Sequence, residues 1–442
     1  MTEISSELFE KIRQQFDSAP YPSTPLEDSP KENISLLYIH NLVTPYYLRN
    51  QKVIDTKNKI ILDAGCGTGY KSLVLAEANP GAKIVGIDIS AESIKLAQQR
   101  LEYYGFDNAE FYVLPVQELN KLNYKFDYIN CDEMLYLFPD LTVALRAMKE
   151  VLQPEGIIRS NLHSLYQRFN FFRAQKLFSI MGLLDGNPED LEIDIVVETM
   201  EALRDNVNLK VVTWDSAKYK GERKKHAILM NHLFQGDKGY SITDMFDALR
   251  GSDLEFISMV DWREWNLLSL FKEPDNLPAF WGISLPETTV EQQLQLFELI
   301  NPVHRLLDFW CGHPDQGKPF TPIAEWNDEE WQNAKVYLHS QLNIPKFEQY
   351  LTTSVTEGKI FTLDKKSPTA RIPLELDSLM ATSLVPLLEQ PQPFISIVDR
   401  WLQVRPLDPV TLQPTDPQKA FDIIKKLFIT LEGSGYIMLE QP

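Results

Sequence analysis

Between Lys59 and Asn161 short apolar runs alternate with helix-patterned segments, and this alternation limits the fold more than any other feature of the chain. Lys59-Ile60-Ile61-Leu62 suits a strand buried on both faces. Lys71 to Ala78 has helical spacing and stops at Asn79-Pro80-Gly81, where proline and glycine cannot continue it. Lys83 to Ile87 predicts a second strand. Ala91 to Tyr104 predicts a helix, with Ser90 as its N-cap and Gly105 closing it. Glu110–Leu114, Phe126–Asn130 and Ile157–Asn161 predict three more strands. Leu141–Leu152 predicts the helix before the last of them, closed by Gln153-Pro154-Glu155-Gly156. Strands joined through helices favour right-handed crossovers, so the expected class is α/β, a doubly wound parallel sheet.

The flanks differ in texture. Residues 1–57 read as an N-terminal helical preface or lid. It comprises a helix over Glu7–Phe16, a proline-rich turn at Ala19–Pro25 and an aromatic, apolar stretch from Asn33 to Leu48. Residues 58–270 are assigned to the sheet domain. They include a helical cap at about 163–235 (helices Gln167–Leu184 and Pro188–Asn206), a helix from Tyr240 to Leu249 and a strand at Leu254–Met259. Residues 271–442 are expected to be mostly helical. Here 286–311, Pro393–Val404 and Gln418–Leu431 read as helices, with a closing strand at Tyr436–Leu439.

The formal charge of −19 would repel a phosphate backbone, so a nucleic-acid partner is not expected. The basic run Lys218–His226 is read as a solvated loop. No apolar run reaches bilayer length, and Met1–Glu7 is acidic and polar rather than leader-like, so no membrane span is expected and the cytoplasm is the expected location. Cys66, Cys131 and Cys311 form no C-x-x-C pair, and the seven histidines include no helical H-x-x-x-H, so no metal is expected.

The chemistry concentrates in Asp63-Ala64-Gly65-Cys66-Gly67-Thr68-Gly69, between the first strand and its helix. Three glycines allow a tight turn and close approach of backbone N–H groups to a ligand. A dinucleotide loop would carry a third glycine where Tyr70 stands, and Asp63 would repel pyrophosphate yet pair well with an ammonium. A nicotinamide site is therefore disfavoured. Asp88 ends the second strand, where a carboxylate can accept hydrogen bonds from ribose hydroxyls.

This combination resembles motif I of the class I, Rossmann-like methyltransferases. The resemblance implies S-adenosyl-L-methionine as cofactor and S-adenosyl-L-homocysteine as product. It is dense over about 58–162. Val116-Gln117 occupies the position that meets adenine, beside Ile89 after the second strand. Phe126–Asp140 resembles the segment after strand four, with Leu135-Tyr136-Leu137 where relatives carry a histidine pair. Leu152-Gln153-Pro154-Glu155-Gly156 resembles the family's turn before strand five. The implied cofactor residues are Tyr21, Asp63, Gly65, Cys66, Gly67, Thr68, Gly69, Asp88, Ile89, Val116, Gln117 and Asp132. Cys66 is read as a space-filler, and Tyr21, with Tyr38 and His40, as a lid.

The Pro20-Tyr21-Pro22 loop and Tyr240–Asn266 look like bacterial methyltransferases with a regulatory-type C-terminal tail, which assigns 371–442 a winged-helix-like form. That group includes protein lysine methyltransferases. Asp132 and Glu133, and His163 after strand five, are the catalytic candidates by position. The acceptor is read as a small molecule or a protein, with a protein lysine methyltransferase or a non-catalytic cofactor-binding regulator as the alternatives.

Overall fold

The computed structural model describes residues 21, 22, 24–215, 219, 223–363 and 373–442. The expected helix at Glu7–Phe16 and residues 218 and 220–222 of the basic run lie outside them; from Arg223 that run is the start of a helix, Arg223–Asn231, and not a loop.

Seven strands form one sheet in the order β3-β2-β1-β4-β5-β7-β6. They are β1 Ile60–Ala64, β2 Lys83–Asp88, β3 Glu110–Val113, β4 Phe126–Cys131, β5 Leu152–His163, β6 Glu255–Met259 and β7 Leu306–Gly312. The first five run parallel, with β1 central; Ile61 is opposite both Ile84 and Tyr128. The crossover helices Tyr70–Ala78, Ala91–Tyr103 and Leu141–Glu150 follow the expected segments. Ser90 caps the second, accepting from the Ser93 amide at 3.2 Å.

Three expectations need correction. The sheet is not parallel throughout, because β7 pairs antiparallel with both β5 and β6. The 286–311 stretch is helical only over Val290–Ile300, and Leu306–Gly312 is the strand β7. Leu306-Leu307-Asp308-Phe309-Trp310-Cys311 is nearly all apolar, so its period distinguishes strand from helix poorly. Trp310 is wholly buried and its Nε1 donates to Tyr128 Oη at 3.0 Å, tying β7 to β4 across the sheet. The sheet therefore extends past residue 270 to Gly312. Finally, the segment expected as a turn at Gln153–Gly156 is part of β5, where the pairing with β4 shifts register between Phe126 and Tyr128.

The described helices of the preface form a wedge, while Tyr21 and Pro22 ahead of them line the cavity described below. These helices, Ile34–Ile39 and Val43–Asn50, sit between the large sheet and the C-terminal region. Tyr38 Oη donates to Gly435 O at 3.2 Å, and Tyr47 Oη donates to Glu432 Oε1 at 3.0 Å. Asn41 Nδ2 donates to Ala78 O at 2.6 Å and to Ser340 Oγ at 3.2 Å. Beyond 320 a second core gathers Trp331, Phe347, Phe394, Trp401 and Phe428. It is less helical than expected, holding the three-stranded sheet Gln392–Pro393, Lys335–Leu338, Ile437–Glu440 and the hairpin Phe361–Leu363 with Leu374–Leu376. The central strand, Lys335–Leu338, precedes 371, so a winged-helix-like unit confined to 371–442 does not stand alone.

One buried acid yields a direct expectation. Glu298, 3% exposed, accepts from the Ile242 amide through Oε2 at 3.0 Å, while its Oε1 has no partner. Burial pushes its carboxyl up to about 7. A carboxyl raised above its unfolded value contributes stability at low pH that is lost as pH rises through the folded value. Glu298→Gln, neutral at all pH, should therefore melt several degrees higher than wild type at pH 8 and nearly level with it at pH 5. Equal melting points at pH 8 would contradict this.

Candidate functional site

A cavity of about 630 Å³ opens at the carboxyl ends of β1, β2 and β4, the place where open α/β sheets bind ligands. Its wall includes Gly65, Cys66 and Gly67 of the loop, Asp88 and Ile89 after β2, Val116 and Gln117 after β3, and Asp132 and Glu133 after β4. Tyr21 and Pro22 cross the top of the glycine loop. A Cβ on Gly67 would collide with Tyr21 O, and one on Gly65 would lie 2.5 Å from Met134 Sδ. With φ of +50° and +77°, both positions require glycine, and the loop is thin so that the Tyr21 strap can lie on it.

Several expected site residues stand behind the wall. Asp63 is buried and its carboxylate is already engaged, accepting from Ser72 Oγ at 2.6 Å and Asn130 Nδ2 at 2.9 Å. Burial pushes it up to about 6, against the pull of those two donors. It braces the loop and is not part of the cavity wall. Thr68 fastens the strap, its amide donating to Tyr21 O at 3.0 Å and its Oγ1 to Pro22 O at 2.7 Å. Gly69 lies against Ala97 of the next helix, where a Cβ would come within 2.6 Å of the Ala97 Cα. His163 lies outside the wall, with Nε2 3.7 Å from Glu133 Oε2. Tyr38 and His40 are buried and do not line the cavity.

Lys71 was missed by sequence reasoning. It lines the cavity, and its Nζ is 2.6 Å from Asp132 Oδ2. A lysine in the first turn of a helix opposes the helix dipole, and that misplacement was the available signal. Asp132 also accepts from Asn161 Nδ2 at 2.6 Å. Burial alone would push its carboxyl up, but Lys71 and Arg159 hold it well below the usual carboxylate range. Arg159 is itself buried, donating to Asp308 through Nε at 3.1 Å and Nη2 at 2.6 Å, and to His40 Nε2 at 2.7 Å. Burial and Arg159 hold His40 down to about 3, so it is a neutral acceptor there.

Glu133 has φ of +57°, a conformation uncommon for any residue but glycine. Its amide donates to Asn161 Oδ1 at 2.8 Å, and its carboxylate is clasped by both Nη atoms of Arg305 and by Tyr136 Oη. Burial opposes its ionisation, yet His163 and Arg305 hold it down to about 2. Arg305 precedes β7 and comes from a segment far along the chain that carries no recognisable motif.

The lining suits an adenosyl amino acid. Gln117 Oε1 is buried with no hydrogen-bond partner among the described residues, an acceptor suited to an exocyclic amine. Asp88 accepts from the Gly67 amide at 3.0 Å and the Ser90 amide at 2.9 Å, and a carboxylate offers about four acceptor sites, enough to take ribose hydroxyls as well. Lys71 and Asp132 offer opposite charges to the carboxylate and ammonium of a zwitterion. Ile89, Leu114, Val116 and Val143 supply apolar surface for the base. Among the described residues there is no cluster able to hold a metal ion.

Residues 55–227 match a family described as a methyltransferase domain. A malonyl-[acyl-carrier protein] O-methyltransferase of Acetivibrio thermocellus is 33% identical over 106 residues, 24% of this chain and 36% of that one. A ubiquinone biosynthesis O-methyltransferase of Haemophilus ducreyi is 34% identical over 106 residues, 23% of this chain and 43% of that one. Residues 55–227 are therefore a methyltransferase domain, similar to those of class I S-adenosylmethionine-dependent enzymes. This methyltransferase thus spans well under two thirds of the length of those two relatives. It is also similar, at 26% identity over 71% of its own length and 73% of the other's, to an uncharacterized protein of Synechococcus. The structure of PKMT2 from Rickettsia typhi superposes on 92% of the methyltransferase and 75% of that chain, with a TM-score of 0.60 at 17% identity. The same protein in complex with AdoHcy gives 0.59 at 15% identity, over 91% and 76% of the two chains.

When bound, S-adenosylmethionine supplies a methyl group on a sulfonium, an excellent leaving group that needs alignment more than acid–base help. A fixed floor would provide that alignment here. Asn161 holds the Glu133 amide and Asp132 in place, and Arg305 fixes the Glu133 carboxylate. The Tyr21 strap lies over the glycine loop.

Proposed function

We propose that this protein transfers a methyl group from S-adenosylmethionine to an amine borne by a protein, with lysine as the first candidate. The observation that carries this reading is Glu133, an ionised carboxylate at the cavity wall, one quarter exposed and positioned beside Asp132. Arg305 already pairs with this carboxylate, but its oxygens keep acceptor lone pairs for an amine, which donates more N–H bonds than a hydroxyl can. The likeness to PKMT2 supports a protein acceptor, because it runs through the C-terminal region as well as the methyltransferase domain. The preface, cap and residues 271–442 would then frame the approach of that protein. Three free, buried cysteines suit a cytoplasmic location.

The test is S-adenosylhomocysteine release with poly-L-lysine, a mixed protein extract, small amines and phenolic acceptors supplied in parallel. Release with the lysine polymer, reduced roughly 100-fold in Glu133→Gln, is the expected outcome. Release only with a phenol or carboxylic acid would shift the acceptor to oxygen. Cofactor binding with no release on any acceptor would point to a regulator that keeps the pocket alone.

A further inference from the structure

Behind Glu133, just past the cap, lies a second acid that methyl transfer by alignment alone does not need. The Asp237 side chain is fully buried, and its Oδ1 lies 2.6 Å from His163 Nδ1. Its other oxygen accepts from Arg168 Nη2 at 2.8 Å and Gln175 Nε2 at 2.9 Å. On the opposite side of the ring, Arg305 Nη1 donates to His163 Nε2 at 3.2 Å, and Glu133 Oε2 lies 3.7 Å away. Arginine can only donate, so Nε2 is the acceptor and Nδ1 carries the hydrogen given to Asp237. Tyr136 stacks on the imidazole with centroids 3.9 Å apart, and Phe234 meets it edge-on at 6.2 Å. The groups facing His163 are therefore Glu133 and Tyr136 after β4, Arg305 before β7, Asp237 and Phe234 at the end of the cap, and Arg168 through Asp237.

We propose that His163 and Asp237 form the proton-accepting end of the acceptor site. This role rests on methyl transfer to an amine. The lone pair of the amine forms the new carbon–nitrogen bond as the carbon–sulfur bond breaks and its electrons go to sulfur. That lone pair is freed beforehand, when the substrate ammonium gives a proton through Glu133 to Nε2 of His163. Asp237, at Nδ1, stabilises the imidazolium. A protonated Nε2 and Arg305 Nη1 are both donors, so Nη1 turns from the ring while Nη2 keeps Glu133; the Arg305 side chain is 46% exposed, whereas His163 is 2% exposed. The proton then leaves to solvent where Nη1 had stood. Asp237 is a positioning residue in this scheme and touches no substrate.

The experiment follows histidine ring signals by NMR in the intact, isotope-labelled protein, with His163→Gln identifying the resonance. The expected results are an Nδ1–H tautomer for neutral His163 and a titration midpoint lower by about one pH unit in Asp237→Asn, which removes the neighbouring anion. With poly-L-lysine as probe, the acid limb of kcat/KM should move by the same amount. A purely structural role would lower the rate at every pH and leave that limb in place. If Asp237→Asn does not fold, Arg305→Gln substitutes for it, and loss of the cation should raise the midpoint by about half a unit or more. An Nε2–H tautomer, or a midpoint unmoved by whichever variant folds, overturns the proposal. Silence of wild type toward poly-L-lysine would sink the lysine reading and leave the NMR result to decide the histidine–aspartate pair.

Discussion

Asp88→Ala lowers the affinity for S-adenosylmethionine by roughly 100-fold or more, with the product affected equally. The carboxylate holds two backbone amides, of Gly67 and Ser90, and so shapes the loop before any ligand arrives. It also lines the cavity, where the ribose hydroxyls would donate to it. Hydrogen bonds to a charged group contribute about 1.5–3 kcal/mol each, and two of them amount to a loss of at least about 3 kcal/mol. Calorimetric titration of wild type and variant with both ligands measures it, and circular dichroism verifies folding. Asp88→Asn, which keeps acceptors but not the charge, should fall between them. Wild-type affinity in a folded Asp88→Ala protein would remove the ribose from this end of β2.

The second large effect concerns stability. Arg159→Met should destabilise the protein by about 3–5 kcal/mol, the usual cost of removing one member of a buried ion pair. Arg159 is 2% exposed and is bonded to Asp308, with Asp132 at 3.9 Å. Methionine fills much of the volume but leaves two carboxylates facing each other without the cation. The loss should shrink at pH 5. Burial pushes Asp308 up to about 6 even with Arg159 present, and without the cation it would take up a proton more readily. A group raised in this way stabilises below its unfolded value and loses that contribution as pH rises, so the variant should suffer most at pH 8. Denaturant midpoints at both pH values check the sign; an equal loss at pH 5 and pH 8 would mean that packing, and not charge, is what Arg159 provides.

The consequences extend to the cavity. Asp132 is kept ionised from two sides, by Lys71 in the wall and Arg159 beneath it. Removing Arg159 leaves Lys71 as its main counter-charge, which would draw that lysine from the ligand. The ion network under the loop therefore links fold stability to the charge balance of the site.

Much of the centre was legible locally. The strand-to-helix junctions of β1, β2 and β3, the Ser90 cap and the glycine loop each depend on a few consecutive residues, so periodicity and turn chemistry are enough to find them. Asp88, Val116 and Gln117 sit at strand ends, and strand ends meet at one edge of any parallel sheet. Alternation thus brings these residues to one edge, and the family resemblance is what assigned Val116 and Gln117 to the adenine.

What the sequence by itself determined was the order of alternating elements, the glycine turn and the charge types at its margins, because these follow from neighbours within a few positions. The tertiary structure alone decided the partners. Asp63 faces inward because Ser72 and Asn130 meet it from two other elements. β7 joins the sheet because β5 and β6 leave a gap for it, which no local period of its own apolar run could reveal. Arg305 reaches Glu133, and Asp237 reaches His163, only because chain segments 172 and 74 residues apart are brought into hydrogen-bond distance. Long-range pairing of buried charges depends on which surfaces exclude water together, and that is a property of the packed molecule, not of any stretch of its sequence.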